Sequence, residues 1–155
     1  MTENLGTLTV TENSAAVTLT AATASKTYDG SALTAAEVTA SGLPEGFTYE
    51  ASASGSQTDA GESANVVNDG YKFFDKDGND KTANFTNVAK VNGKLTVNPA
   101  AVTITTGSAS KAYDGTALTK DEAGIEGLVA GESVTLSATG TITEVGDTQN
   151  TYSIT

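Results

Sequence analysis

Short runs along the chain alternate one apolar residue with one threonine. Residues 17–20 read VTLT, residues 95–97 read LTV and residues 102–105 read VTIT. Successive side chains of a strand point to opposite faces, so this period of two is typical of strands with one buried face. Turn-forming residues separate the runs at intervals of about 8 to 12 residues, as in small all-β domains. The pattern predicts an all-β chain of tandem small Ig-like β-sandwich repeat domains, with a β-grasp-like module as the alternative.

The apolar members of these alternations are the predicted core. They are Val17, Leu19, Tyr28, Leu33, Leu43, Phe47, Tyr49, Val66, Tyr71, Phe73, Phe85, Val91, Leu95 and Val97, followed by Val102, Ile104, Tyr113, Leu118, Leu128, Val134, Leu136, Ile142 and Tyr152. Residues 33–38 and 119–123 each contain a threonine followed three residues later by a glutamate, the pattern of a capping box. We predict a single helical turn in each of these two stretches.

Two copies of one unit follow each other in the chain. Residues 17–34 (VTLTAATASKTYDGSALT) match residues 102–119 (VTITTGSASKAYDGTALT) at a constant offset of 85 positions. Residues 8–10 match residues 95–97 at an offset of 87. We therefore predict that residues 1–14 are the terminal strand of a preceding repeat plus a linker. Residues 15–98 are then a complete repeat domain, and residues 99–155 are a second, C-terminally incomplete one.

The second copy has no counterpart of residues 71–97. One interpretation is that the chain stops inside a unit. The alternative is that residues 6–10 of one molecule complete the second unit of another molecule by strand addition.

Two connections carry strong turn signals. Asn92 and Gly93 lie between two apolar runs and predict a type I′ hairpin, because both central residues of that turn need positive φ. Residues 75–80, DKDGND, are predicted to join a strand over residues 71–74 to a strand over residues 82–85.

The amino-acid composition argues against several classes of function. The chain has 155 residues, 19 acidic and 8 basic side chains, a net charge of −11, and neither histidine nor cysteine. Catalytic triads, thiol nucleophiles and structural zinc sites need an imidazole or a thiolate. The acidic balance disfavours nucleic acid and anionic membranes as partners. We expect no enzyme activity, no catalytic residue and no cofactor.

The repeated segments SKTYDG and SKAYDG, the following Gly-Leu pairs and the closing NFTNVAKVNGKLTV resemble the YDG or MBG-type repeats of large bacterial cell-surface, adhesin-like proteins. The repeat motif here comprises Tyr28, Asp29, Gly30, Tyr113, Asp114 and Gly115. The resemblance implies a non-catalytic extracellular β module that builds a stalk, with neighbouring repeats as its partners. A binding module that recognises a host glycan or protein through its loops is the alternative function.

Two further candidate sites are weighed against structural roles. Asp75, Asp77 and Asn79 have the first spacings of an EF-hand loop, but the later glycine and bidentate glutamate are missing, so a calcium site competes with a plain acidic turn. Lys26 and Lys111 could form intramolecular cross-links to an asparagine, with Asn65 and Asn150 as candidates, as in some surface domains. A solvated lysine beside a turn is the competing interpretation.

Overall fold

The computed structural model describes residues 3–155, and strands joined by loops make up those residues. The only helical element in this range is one 3₁₀ turn, Thr82–Asn84, so the strand predicted over residues 82–85 is wrong. The prediction of an all-β chain is confirmed. The described chain divides into two compact units: residues up to Lys26 together with Ser31–Asn98, and Thr27–Gly30 together with Pro99–Thr155.

Nine strands precede Pro99. They are β1 (Val17–Ala21), β2 (Ala24–Thr27), β3 (Val38–Ser41), β4 (Thr48–Glu50), β5 (Ala53–Ser54), β6 (Gly61–Val67), β7 (Lys72–Phe74), β8 (Val88–Val91) and β9 (Gly93–Asn98). They form three sheets with the orders β3-β1-β8, β2-β9-β6-β5 and β4-β7. β1 pairs antiparallel with β3 and parallel with β8. β1 and β9 are therefore both interior strands of their sheets.

The core of the first unit comes from alternate residues of these strands. The fully buried side chains are Val17, Leu19, Asn65, Val67, Phe73, Leu95 and Val97. The ring of Phe85 lies edge-on to those of Phe73 and Phe47, with centroids 5.0 and 5.4 Å away. Such aromatic pairs contribute about 0.5–1.5 kcal/mol each beyond the area that they bury.

Three predicted core residues of the first unit are wrong. Tyr49, Val66 and Val91 are 37%, 43% and 46% exposed. In β6 the inward positions are Asn65 and Val67, so Val66 lies on the outer face between them. The prediction placed Val66 inward because it is apolar, but the inward position beside it is occupied by the polar Asn65. A shift of one residue exchanges the two faces of a strand.

The predicted hairpin at Asn92 and Gly93 is also wrong. β8 pairs with β1, whereas β9 lies between β2 and β6 in another sheet, so the chain changes sheets at Asn92. Neither residue has a positive φ. Glycine is needed at position 93 for space: a Cβ there would lie 2.0 Å from the Ala22 carbonyl oxygen and 2.6 Å from that of Ala21.

Six strands follow Pro99: β10 (Thr103–Thr106), β11 (Leu118–Thr119), β12 (Ala123–Glu126), β13 (Leu136–Ala138), β14 (Thr141–Ile142) and β15 (Tyr152–Ile154). They pair as β10-β12, β11-β14 and β13-β15. Each pairing reproduces a pairing of the first unit at the offset of 85. For example, Ile104 opposes Ile125 as Leu19 opposes Ala40.

The predicted helical turns are wrong in both copies. Leu33 forms a β-bridge with Gln57, and its counterpart Leu118 pairs with Ile142 between β11 and β14. Pairing with a distant segment satisfies the backbone there, so the local capping pattern does not produce a helix. Residues 119–123 run from the end of β11 into β12.

The second unit has no enclosed core. Among the described residues 99–155 every side chain is half-buried or exposed, although several repeat the apolar residues of the first unit. The predicted core positions Val102, Tyr113, Leu128 and Tyr152 are 48%, 61%, 37% and 50% exposed. Residues 99–155 include no counterpart of β7 and β9, the strands that contribute Phe73, Leu95 and Val97 to the core of the first unit.

No helix within residues 3–155 is long and apolar enough to cross a lipid bilayer.

Candidate functional site

The Tyr-Asp-Gly segments form the same turn in both copies. Gly30 and Gly115 have φ values of +79° and +77°, a region that side-chain-bearing residues rarely occupy. The Lys26 Nζ donates hydrogen bonds to the backbone oxygen and the hydroxyl of Ser31, at 2.6 and 2.8 Å. The lysine that precedes the motif therefore hydrogen-bonds to the residue that follows it, across the turn.

Lys111 does the same in the second copy. Its Nζ donates to the Asp114 Oδ1 at 2.7 Å and to the Thr116 Oγ1 at 2.5 Å. Asp114 also accepts from the backbone N–H and the hydroxyl of Thr116. Hydrogen bonds from Lys111 and Thr116 hold the pKa of Asp114 well below its usual range. The carboxylate thus stays ionised as part of a closed turn, a role that differs from acid catalysis.

The two tyrosines of the motif differ in burial. Tyr28 is half-buried, whereas Tyr113 is 61% exposed. Asp29 is exposed. The predicted core role therefore fails for Tyr113, which has no enclosed core to enter.

Each copy also contains an asparagine that ties two backbone segments together. The Asn65 Nδ2 donates to the carbonyl oxygens of Ala22 and Ala35, at 2.9 and 2.7 Å. The Asn150 Nδ2 donates to those of Gly107 and Lys120, at 2.9 and 2.8 Å. These acceptors correspond at the offset of 85. The asparagine amide therefore bonds to both segments just beyond the end of the ladder that joins them, β1 with β3 in the first unit and β10 with β12 in the second.

The residues of the predicted cross-link have distinct tasks in the structure. Lys26 and Lys111 donate hydrogen bonds across the turns that follow them. Asn65 and Asn150 donate both amide hydrogens to backbone carbonyls. The cross-link stays a prediction that intact mass can decide. Each Lys–Asn bond releases one ammonia, so a deficit of one ammonia per bond supports it and the mass calculated from the sequence rejects it.

The acidic turn over residues 75–80 is closed by its own hydrogen bonds. The Asp75 Oδ1 accepts from the backbone N–H of Asp77 and of Asn79, at 3.0 and 2.9 Å, and these bonds lower the pKa of Asp75, with that from Asn79 contributing most. The Asp77 carboxylate pairs with Lys76 at 2.8 Å. Within residues 3–155 no group of three or more acidic side chains is placed to hold a metal ion. Calcium binding remains a prediction, and a calorimetric titration tests it.

The structure also shows an open groove in the second unit. The sequence motifs did not predict this groove, although Asn150, one of its lining residues, was a candidate for the cross-link. The groove runs between Gly107–Ala109 on one side and Thr148–Asn150 on the other. In the first unit the corresponding segments, Ala22–Ala24 and Ser63–Asn65, lie on either side of β9. In the second unit, Thr106 and Asn150 both line the groove, and the Thr106 Oγ1 donates to the Asn150 carbonyl oxygen at 2.7 Å.

Comparison with protein-family models, curated proteins and solved structures finds no match for this chain.

Proposed function

We propose that this chain is a structural spacer: tandem Ig-like β-sandwich repeats of a bacterial cell-surface, adhesin-like protein, acting outside the cell without catalysis. The resemblance of the repeated SKTYDG and SKAYDG segments to such proteins supports the setting. One observation carries the spacer role. Asn65 and Asn150, which recur at the offset of 85, donate both amide hydrogens to backbone carbonyls of their own unit, and Lys26 and Lys111 donate across the turns that they precede.

This observation covers two kinds of side chain. The lysines at positions 26 and 111 hold turns, and the asparagines at positions 65 and 150 hold pairs of carbonyls. A repeated binding site would instead keep its polar groups available for a ligand. The recurring chemistry of this chain is thus used to fix a backbone conformation, which is what a repeated spacer needs from each unit.

The strand order of the first unit supports a mechanical role as well. The chain enters through β1, which lies between β3 and β8, and leaves through β9, which lies between β2 and β6. Both strands have neighbours on two sides. Tension along the chain must therefore break two ladders at either end, whereas a terminal edge strand could be peeled away from one.

Stretching of single molecules tests the proposal. With the chain held between handles, we expect the first unit to unfold in one discrete event, with a length gain of about 3.3–3.6 Å per residue. Asn65→Ala should lower the unfolding force because it removes the tie between two segments. Asn68→Ala, whose side chain bonds only to Ser52 and Ser54 near the surface, is the matched control.

The alternative function is recognition of a host glycan or protein through the loops at residues 42–47 and 75–80. The second loop is largely exposed and acidic. A glycan array and a cell-adhesion assay separate the two proposals, because a spacer binds nothing in either. Saturable binding that disappears when residues 75–80 are replaced by a neutral turn would favour the binding module.

A further inference from the structure

Two segments of the first unit run side by side over more than one strand each. β1 pairs in parallel with β8, with residues 17–20 opposite residues 88–91. The pairing extends before these strands, where Asn13 forms a parallel bridge with Phe85 and its carbonyl oxygen accepts from the Thr86 N–H at 3.2 Å. The linker that leads into β1 is therefore bonded to the segment that leads into β8.

The same two segments stay together beyond the other end of this ladder. β1 is followed by β2 and β8 by β9, and both segments pass from one sheet to the other. At this crossing the Lys94 N–H donates to the Thr23 hydroxyl at 3.1 Å. Further on, the Asn98 Nδ2 donates to the Lys26 carbonyl oxygen at 3.4 Å. Facing residues differ by 71 or 72 in number from Asn13 to Lys26, so the two segments run in the same direction throughout.

The segments remain in close contact where they change sheets. A Cβ at Gly93 would lie 2.0 Å from the Ala22 carbonyl oxygen, so the two backbones almost touch there. Leu19, before the crossing, and Leu95, after it, are both 0% exposed. The middle of the two segments thus lies against the core, where hydrogen bonds are stronger than in water.

Tension on the chain reaches residues 13–26 and 85–98, which we call the parallel pair, from opposite ends. The chain approaches the pair at residue 13 and leaves it at residue 98. Because the two segments are parallel, these points lie at opposite ends of the pair, and pulling on them slides one segment along the other. All hydrogen bonds of the pair then resist together, whereas forces applied at one end separate them one after another.

The parallel pair also closes a loop of the chain. Residues 27–84 lie between its two segments in the sequence. Since the segments are bonded directly to each other, force passes between them across their hydrogen bonds and does not run through those residues. The loops at residues 42–47 and 75–80 are therefore outside the path of the force.

We propose that the parallel pair is a shear-loaded clamp, which carries tension through the first unit and keeps the unit folded until the pair itself breaks. This inference rests on the proposed spacer function, because only a chain under tension needs such a clamp. It identifies the residues that bear the load, and it requires a resistance to force that depends on the direction of pulling.

Pulling the full chain in two directions tests the clamp. The chain has no cysteine, so handles can be attached through introduced pairs. Glu12→Cys with Ala101→Cys loads the parallel pair from opposite ends, whereas Glu12→Cys with Ala83→Cys loads it from one end. All three residues are exposed. Forced unfolding follows the unfolding rate, so we expect a higher unfolding force in the first arrangement at the same pulling speed. Equal forces, or a higher force in the second arrangement, would overturn the proposal.

A pair of threonine variants tests the position of the clamp. Thr23→Ala removes the acceptor of the Lys94 N–H within the parallel pair. Thr39→Ala makes the same change at an exposed position of β3, outside the pair. We expect Thr23→Ala to lower the force only when the pair is loaded from opposite ends, because loading from the end at residue 12 reaches this bond last. Thr39→Ala should lower it in neither arrangement. A Thr23→Ala chain as resistant as the parent from opposite ends would refute the clamp at this crossing.

The clamp and the spacer function fail in different experiments. Equal forces in the two pulling arrangements reject the clamp and leave a spacer that binds nothing. Saturable binding to glycans or host cells rejects the spacer, while the dependence of the unfolding force on direction persists.

Discussion

Asn65 offers the sharpest test of the view that the repeated polar residues hold the backbone. Its side chain is 0% exposed, and Asn65→Ala removes two hydrogen bonds, to the carbonyls of Ala22 and Ala35. Each bond contributes about 0.5–1.5 kcal/mol net, and a buried acceptor left without a partner costs about 1–3 kcal/mol. The Oδ1 atom already lacks a partner among the described residues, so its removal offsets part of this loss. We expect the first unit to lose about 2–4 kcal/mol of unfolding free energy.

Urea unfolding followed by circular dichroism measures this loss, and hydrogen exchange read by mass spectrometry assigns it to a unit. With a slope of about 1–3 kcal/mol per molar urea, the midpoint should fall by about 0.7–4 M. Exchange should accelerate in residues 15–98 and stay unchanged in residues 99–155. Asn68→Ala controls for the loss of a surface asparagine. An Asn65→Ala variant within about 0.5 kcal/mol of the parent would refute the reasoning, because that is the spread of ordinary surface substitutions.

Three further predictions concern space, the core and charge. Gly93→Ala should destabilise the first unit by about 1–3 kcal/mol in urea unfolding, because the added Cβ collides with backbone; an unchanged midpoint would contradict the close approach. Phe73→Ala should cost about 3–5 kcal/mol at a fully buried site, against less than about 1.5 for the exposed Val66→Ala, and equal costs would disprove the core assignment. Because the pKa of Asp114 is lowered on folding, its contribution to stability is present above about pH 4 and is lost as the pH falls below that value. Lys111→Met should therefore make acid unfolding of the second unit shallower, and a parent-like pH profile would count against that ion pair.

The features that sequence reasoning predicted correctly are those that depend on few neighbouring residues. Alternation of threonine with apolar residues indicated strands, and the structure is all-β. The Tyr-Asp-Gly segments indicated turns, and Gly30 and Gly115 have the positive φ that such turns require. In both cases the backbone preference of a residue and its immediate neighbours decides the outcome.

The failures have the opposite origin. At Asn92 and Gly93 the local signal favours a hairpin, but β8 and β9 find partners in different sheets, so long-range pairing overrides it. In β6 both Val66 and Val67 are apolar, and only the inward-facing Asn65 shows which of them is buried.

The two units allow two contributions to be considered separately: local polar hydrogen bonds, which both units have, and burial of apolar side chains, which is complete only in the first. Both contain the turn glycines, the lysine bonds and the asparagine ties, and both have the same strand pairings wherever the strands exist. Only the first encloses a core, since Phe73, Leu95 and Val97 come from β7 and β9. The same turn glycines, lysine hydrogen bonds and asparagine hydrogen bonds are therefore found with the same backbone conformation whether or not a core is present. Burial, which supplies most of the stability of a small domain, depends on the added strands.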